Sequence, residues 1–264
     1  MKKALLAIPF LLTQTASANT LYKCTNDSGV VIYTNQKTNN NNCTVLSQQS
    51  PPPSSRSALP SAKAGSGFWV GDGIFVTNHH VVDGCKRILV GKTKTPVKLL
   101  KASRDNDLAV LASPNSANNG VAKLRLTDVR LGEEVLISSY PLGGLVDTSV
   151  TVTTGAVSSI EPFKKAHIFQ TTAPIQPGSS GGPVLDYAGN VIGVVVGSLN
   201  FLATLQTSGH IAQNVNFGIR VSRVIELLES TRISYKTAIL GKHIPLQEVA
   251  AISDQITTQV FCVK

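Results

Sequence analysis

Short apolar runs, broken by glycine, proline or asparagine, fill the chain from residue 64 to residue 220. Runs such as Phe68-Trp-Val70 and Leu108-Ala-Val-Leu111 have the length of β-strands, and the residues between them favour tight turns. A segment of about 160 residues built in this way suits two packed six-stranded barrels. Residues 221–229 predict a closing helix, because their apolar side chains recur at helical spacing.

A small polar loop interrupts this pattern late in the chain, with the sequence Pro177-Gly-Ser-Ser-Gly-Gly-Pro183. Its composition is typical of a loop that carries a nucleophilic serine, here Ser180. A serine hydroxyl attacks a carbonyl usefully only if a base removes its proton and N–H donors hold the resulting oxyanion. Glycine at 178 lets the Gly178 and Ser180 N–H groups converge, and Gly181 and Gly182 are expected to leave room for the substrate backbone.

Two other segments supply the partners that such a serine needs. Thr77-Asn-His-His-Val-Val82 places His80 at the end of an apolar run, as a candidate base. By itself His80 also fits a surface histidine, since His79 stands beside it. Asp107 directly precedes the apolar run 108–111, where it can orient the imidazole or serve only as a turn carboxylate.

These motifs together resemble the HtrA-type (Do-like) branch of the trypsin-fold serine proteases. T-N-H-H-V-V, D-L-A-V-L and P-G-S-S-G-G-P-V occur in the family's order, within residues 64–230. Shorter family motifs accompany them: L-G-E-E-V from Leu131, Y-P-L-G from Tyr140, T-G-A-V-S from Thr154, F-Q-T-T-A from Phe169, G-N-V-I-G from Gly189 and N-F-G-I from Asn216. The family's base is the second histidine of the pair. The resemblance therefore implies a triad of His80, Asp107 and Ser180 in an all-β, trypsin-like double six-stranded β-barrel with a C-terminal helix.

The same resemblance implies the rest of the site. The oxyanion hole is expected from Gly178, Ser179 and Ser180, and the substrates are proteins or peptides. The primary pocket is expected between two segments, Pro174, Ile175 and Gln176 on one side and Val196, Gly197 and Ser198 on the other. None of these residues is acidic, so small or medium aliphatic residues are favoured over Lys or Arg before the scissile bond. The chemistry requires no metal and no organic cofactor.

Ser179 departs from two related patterns. Digestive trypsin-like enzymes place an aspartate before the nucleophile, which pairs with a new amino terminus after zymogen cleavage, and HtrA-type proteins often have asparagine there. A neutral hydroxyl cannot make that ion pair. The sequence therefore predicts activity without zymogen processing.

The amino terminus predicts export. Lys2 and Lys3, the apolar run 4–12 and Ala16-Ser-Ala18 fit a secretory signal cleaved after Ala18, which indicates the periplasm or the exterior. The apolar run is too short for a membrane span, and no later segment supplies a transmembrane anchor.

The sequence thus divides into a signal peptide (1–18), a small Cys-containing β module (19–49), a Pro/Ser linker (50–63), the protease domain (64–230) and a C-terminal extension (231–264). The β module contains Leu21-Tyr-Lys-Cys24 and Val30-Val-Ile-Tyr33, which predict two strands. It resembles a small domain of unknown function often found near the amino termini of secreted bacterial proteins. The extension is too short for the peptide-binding PDZ domain that many HtrA-type proteins carry.

Four cysteines in an exported chain predict two disulfides. Three pairings are possible. The order of the segments favours Cys24 with Cys43, inside the β module, and Cys85 with Cys262, which would pin the C-terminal segment to the protease body. Free buried thiols are the alternative.

The chain is basic, with a net charge of +9 that falls to +7 when the signal removes Lys2 and Lys3. Many of the cations cluster around predicted strands: Lys86, Arg87, Lys92, Lys94, Lys98 and Lys101. A solvated face that protects strand edges accounts for such a cluster. No nucleic-acid-binding module or aromatic stacking pattern accompanies the charge, so nucleic acid is not an expected partner. The sequence leaves the oligomeric state open.

Two other functions are compatible with the same residues. One is a noncatalytic protease-fold protein that binds or chaperones other proteins, and the other is an esterase or acyltransferase that uses the same serine chemistry. The presence of all three polar groups, each within its local motif, favours the peptidase.

Overall fold

The computed structural model describes residues 20–25, 31–34, 42–48, 63–114, 120–141, 149–162, 167–198 and 214–264. The predicted signal peptide, and the predicted linker except for Lys63, lie outside these residues. The chain divides into two units, residues 1–59 and 60–264.

The first unit contains a three-stranded antiparallel sheet. Its strands are β1 (Thr20–Thr25), β2 (Val31–Thr34) and β3 (Asn42–Gln48), in the order β2-β1-β3. Cys24 lies directly opposite Cys43 in the register of β1 and β3, and the two form a disulfide. A sheet of this size buries little apolar surface, so the cross-link matters: it contributes about 3 kcal/mol by constraining the unfolded chain.

The second unit consists mainly of strands. They are β4 (Lys63–Gly71), β5 (Ile74–Thr77), β6 (Arg87–Val90), β7 (Thr95–Ser103), β8 (Leu108–Ala112), β9 (Lys123–Arg125), β10 (Glu134–Ser139), β11 (Thr151–Ser159), β12 (Ile168–Thr171), β13 (Pro183–Leu185), β14 (Val191–Ser198), β15 (Asn216–Arg220), β16 (Lys236–Ala238) and β17 (Thr257–Val263). The helices are α1 (His79–Val82), α2 (Val221–Ser230) and α3 (Leu246–Ile256). No helix in the described part of the chain is both long and apolar enough to cross a membrane.

These strands form two barrels of six, which confirms the predicted fold. The first barrel closes in the order β17-β4-β5-β8-β7-β6. The second closes in the order β13-β10-β11-β12-β15-β14, with β14 pairing back to β13. Beyond β14, the short strands β9 and β16 extend the second sheet in parallel.

Strand β4 shows why some apolar runs in the sequence are continuous. All residues from 65 to 70 are buried or nearly so, because both faces of the strand are covered. Trp69 packs inside the first barrel against Phe75, with the ring centroids 5.0 Å apart. Phe68 and Val70 join a second cluster that both barrels share with α2 and α3. A strand covered on both faces loses the apolar–polar alternation of a half-exposed one.

The C-terminal segment corrects the predicted domain boundary. The sequence predicts that the protease domain ends at residue 230 and that a C-terminal extension follows, but β17 is a full member of the first barrel and pairs with both β4 and β6. Cys262 on β17 forms a disulfide with Cys85, the pairing that the segment order favours. Because this bond spans 177 residues of sequence, it contributes about 5 kcal/mol in the loop-entropy model. The first barrel therefore closes only when β17 is in place.

A buried charge cluster holds the strand that follows the Ser180 loop. Arg125 on β9 is fully buried and pairs with Glu133 and with Asp186, the latter at 3.0 Å. Burial alone would raise the pKa of Glu133, but the hydrogen bonds and charge of Arg125 outweigh it and hold this pKa below its ordinary value. Asp186 comes directly after β13, so the cluster fixes the far end of that strand.

Candidate active site

His80 and Asp107 meet at one end of the first barrel. His80 lies in α1, which follows β5, and Asp107 immediately precedes β8. Asp107 Oδ2 lies 2.6 Å from His80 Nδ1, and Oδ1 accepts the backbone N–H of His80 at 2.9 Å. A carboxylate only accepts hydrogen bonds, so Nδ1 donates in this pair and Nε2 is the ring nitrogen that Asp107 does not use. The imidazole side chain is 48% exposed, which leaves a part of the ring accessible to a reactant.

Asp107 is held by its backbone as well as by its carboxylate. Its φ of 49° lies in the left-handed region, which aspartate tolerates better than most residues. The fully buried Asn78 donates from Nδ2 to the carbonyl oxygen of Asp107 at 2.9 Å. Sequence reasoning missed this role of Asn78, although a polar residue between an apolar strand and the histidine pair was a usable signal.

His79, the other histidine of the pair, has a different partner. Its Nε2 lies 3.7 Å from Asp83 Oδ1. The structure thus brings His80, and not His79, to Asp107. Within the described residues, no group of three or more His, Cys, Asp or Glu side chains is arranged to hold a metal ion.

The loop that carries Ser180 is bonded to both barrels. It runs from β12 to β13. Ser66 on β4 donates its N–H to the carbonyl oxygen of Ser180 and its Oγ to that of Gly178, both at 2.8 Å. On the other side, the Gly181 N–H donates to the carbonyl oxygen of Val195 on β14 at 2.8 Å. Ser180 therefore lies at the junction of the barrels.

Gly65 marks the point where the Ser180 loop and the His80 helix meet. A Cβ at Gly65 would collide with the side chain of Val81, the residue after His80, and would lie 3.1 Å from the carbonyl oxygen of Ser180. The Cα atom of Gly65 on β4 therefore lies close both to the backbone of Ser180 and to Val81 in α1. Direct packing of these three segments brings the predicted nucleophile and base into one region.

Gly181 and Gly182 have a packing role that the sequence did not suggest. The sequence suggests that they leave room for a substrate, but a Cβ at Gly181 would collide with Thr77 and crowd the N–H of Asn78. A Cβ at Gly182 would collide with the carbonyl oxygen of Ser138. Gly181 also has φ 88°, which favours glycine. The absence of side chains here lets the loop pack against the barrels.

A tight turn precedes the serine. The Ser179 N–H donates to the Gln176 carbonyl oxygen at 2.9 Å, with Pro177 second in the turn and Gly178 third at φ 96°. Proline at the second position and a positive φ at the third are the features of a type II turn. The sequence also assigns Ser179 to the oxyanion hole, but its N–H closes this turn and is not available to a ligand. Gly178 and Ser180 remain as the candidate donors.

Two buried hydroxyl groups that sequence reasoning missed hold this turn. Ser139 on β10 donates from Oγ to the Oγ of Ser179 at 3.0 Å, and the same Ser179 oxygen accepts the Gln176 N–H at 3.3 Å. Ser66, also fully buried, accepts the Tyr140 N–H at 2.8 Å while it donates to Gly178. Ser179 is only 2% exposed. The loop is therefore anchored by neutral hydroxyl groups on β4 and β10.

The predicted pocket residues flank the Ser180 loop. Pro174 and Gln176 are exposed, while Ile175 is half-buried against the core of the second barrel. Val196 is also half-buried, and Gly197 has φ 151° where the pairing of β14 with β15 is irregular. Ser198 ends β14, and residues 199–213 lie outside the described part of the chain. The structure thus places these segments beside the loop.

Comparisons with known proteins agree with the fold. Residues 65–194 match the family model of the trypsin-like peptidase domain, and residues 10–64 match the domain of unknown function DUF4124. The second match confirms the resemblance of the small β module.

The relatives of this chain include a Do-like serine protease and a protein without a described function. The Do-like serine protease HtrA of Bacillus subtilis is 33% identical over 160 residues, which cover 53% of this chain and 35% of that protein. The uncharacterized protein y4bJ of Sinorhizobium fredii is 36% identical over 207 residues, 76% of this chain and 32% of that protein. The chain thus spans about a third of the length of these relatives.

Among solved structures, the HtrA-type protease AlgW, determined with a tripeptide, matches with a TM-score of 0.52 and 25% identity. The match covers 81% of this chain and 60% of that one. The fold, the ordered motifs and these matches agree: residues 65–194 form a trypsin-like peptidase domain, and the chain is similar to the HtrA-type (Do-like) serine proteases.

Proposed function

We propose that this chain is an exported serine endopeptidase in which His80, Asp107 and Ser180 form the catalytic triad. The observation that carries the proposal is the His80–Asp107 pair, in which both carboxylate oxygens bind His80. This pair lies where the Ser180 loop packs against the first barrel. Base, orienting acid and nucleophile are the three groups that acyl transfer through serine requires.

The reaction proceeds through an acyl-enzyme. Nε2 of His80 takes the hydroxyl proton while Ser180 Oγ bonds to the peptide carbonyl carbon. When the C–N bond breaks, His80 returns that proton to the departing amine. Water then attacks the ester with His80 again as base, which releases the acid and restores Ser180. Asp107 stabilises the imidazolium in both halves.

The oxyanion is held by the N–H groups of Gly178 and Ser180. The type II turn supports this assignment, because it occupies the intervening Ser179 N–H and orients the Gly178 peptide. Each such donor contributes about 3 kcal/mol of transition-state stabilisation. The hydrogen bond from Ser66 to Gly178 keeps this arrangement in place before substrate binds.

The residue before the scissile bond is small or medium and aliphatic. Residues 174–176 and 196–198 contain no acid, so a substrate Lys or Arg side chain would lack a counter-ion there. The half-buried Ile175 and Val196 offer apolar surface instead.

Two kinds of feature support export, the amino-terminal sequence and the disulfides. The first eighteen residues have the pattern of a secretory signal. Two disulfides, which persist in oxidising compartments, join all four cysteines. We place the mature protein in the periplasm or outside the cell, with protein or peptide substrates.

An aryl phosphonate probe tests the proposed nucleophile. Ser180 Oγ is expected to displace the aryloxide and form a stable bond to phosphorus, which peptide mass spectrometry locates. His80→Ala should abolish the labelling because the serine then lacks its base. Absence of label on the wild-type protein under several conditions would favour a noncatalytic binding or chaperone role. Labelled protein that cleaves aryl esters but no member of a peptide library would be an esterase.

Loss of the Ser139 hydroxyl is expected to lower kcat, because this group holds the turn that precedes Ser180. Ser139→Ala removes the side-chain donor to Ser179 and leaves that buried oxygen with one long bond from Gln176. Loss of a buried hydrogen bond corresponds to about a tenfold lower kcat, with little change in KM. Steady-state kinetics on a peptide substrate measure both constants.

Ser138→Ala is the matched control. Ser138 is also buried on β10, but its Oγ lies 2.8 Å from Thr257 Oγ1, away from the loop. The two variants should lose similar stability in urea unfolding, while only Ser139→Ala slows turnover. Equal losses of kcat in both variants would show that Ser139 has no specific positioning role.

A further inference from the structure

The first barrel carries a patch of exposed cations. Residues 84–104 include seven Lys or Arg and no Asp or Glu, and all seven cations are exposed. We call this patch the basic face, with members Lys86, Arg87, Lys92, Lys94, Lys98, Lys101 and Arg104.

Protection of strand edges does not account for these cations. The sequence suggests that role for most of them, but β6 pairs with both β17 and β7, and β7 pairs with both β6 and β8. A strand inside a closed barrel has no free edge to protect. The sequence is therefore right that these cations are solvated, and wrong that they protect strand edges.

The cations are also not used in ion pairs. Within the described residues, none of the seven has a carboxylate oxygen within 4.0 Å, whereas Arg125, Arg220 and Arg223 elsewhere do. Lys94 lies 5.4 Å from the ring of Phe261 on β17, an aromatic rather than an anionic partner. None of these cations is thus held in a close ion pair, although Asp105 and Glu226 line a cavity together with Lys101 and Arg104.

Two large apolar side chains lie among the cations. Leu99 and Leu100 are 47% and 46% exposed, and Lys98 and Lys101 flank them in sequence. The β7–β8 pairing is irregular at this point, as in a β-bulge. Next to them lies an apolar groove of about 280 Å³, lined by Pro96, Val97, Lys98, Ala112, Ser113 and Pro114.

We propose that the basic face binds the surface of an anionic phospholipid bilayer, with Leu99 and Leu100 entering the boundary between headgroups and acyl chains. Cations attract the anionic headgroups, and apolar side chains between them gain from burial at the interface. Leucine favours a lipid surface over nucleic acid, because single strands are held largely by stacking on aromatic side chains. The inference does not depend on the peptidase activity.

Vesicle sedimentation tests the proposal with the chain that begins at Asn19. The protein is expected to pellet with vesicles of phosphatidylglycerol and phosphatidylcholine, and not with phosphatidylcholine alone. Lys98→Gln with Lys101→Gln should weaken binding about thirtyfold, since each cation near the surface contributes about fivefold. Leu99→Ser with Leu100→Ser should weaken it about tenfold at unchanged charge.

Lys236→Gln with Lys242→Gln is the matched control, because both lysines are exposed in the second unit outside the basic face and the net charge falls equally. Binding of this variant should match the wild type. Equal weakening in the control would show attraction by net charge alone and overturn the proposal. So would failure of the wild type to pellet with anionic vesicles at low salt. Full competition by single-stranded RNA, with no effect of the leucine changes, would identify a nucleic-acid surface instead.

Discussion

Replacement of Ser180 by alanine is expected to lower peptide turnover about a million-fold and to change substrate binding little. The variant lacks the atom that bonds to the carbonyl carbon, while the turn, the His80–Asp107 pair and both candidate oxyanion donors remain. The remaining activity should come from direct attack of water on the carbonyl carbon, with the oxyanion held by the two candidate donors. Single-turnover assays with a peptide ester and a peptide amide measure the loss directly.

Ser234→Ala is a suitable control, because Ser234 is exposed and lies outside the loop. It should retain full turnover. Substrate affinity, measured on the inactive Ser180→Ala protein, should match the wild-type value. A Ser180→Ala protein that keeps one per cent or more of wild-type turnover would mean that another group is the nucleophile.

Asp107→Asn is expected to lower kcat about ten-thousand-fold at neutral pH. The amide nitrogen would donate towards His80, so Nδ1 would have to become the acceptor and the proton would move to Nε2. His80 could then no longer take a proton from Ser180. Asparagine also tolerates the left-handed backbone at this position, so the fold should persist.

The neighbouring Asp105 supplies the matched control for this substitution. It is exposed in the same turn, and Asp105→Asn changes the net charge by the same amount. Its kcat should stay close to wild type. The Asp107→Asn protein should still unfold cooperatively, with its stability lowered by no more than about 3 kcal/mol. Activity within tenfold of wild type would show that Asp107 does not orient the base.

The three residues of the proposed triad could be named from the sequence because each belongs to a local motif. Turn residues and an apolar strand lie within a few positions of His80, of Asp107 and of Ser180, so short stretches of sequence encode how each side chain is presented. The hydroxyl groups that hold the Ser180 loop were not predictable in this way. Ser66 bonds Gly178 across 112 positions, and Ser139 bonds Ser179 across 40. A serine carries no sign in its own sequence of such a distant partner.

The closure of the first barrel was also not predictable from local sequence. Strand β17 has an apolar pattern like the others, yet its neighbours are strands that precede it by about 170 to 200 residues. A cysteine in the strand was the one local sign of that long-range pairing. Because the first barrel is closed, β6 and β7 have no free edges. The lysines of the basic face therefore do not protect strand edges.

The sequence by itself determined the strand-rich fold, the identity of the three catalytic candidates and the preference for one disulfide pairing. Each of these depends on residue types at short spacing, where the backbone has few alternatives. Only the tertiary structure decided that the C-terminal strand closes the first barrel, that Ser179 is held by Ser139, and that the lysines lie on a closed surface. These features depend on contacts between residues far apart in the chain, which form only when the whole core is packed.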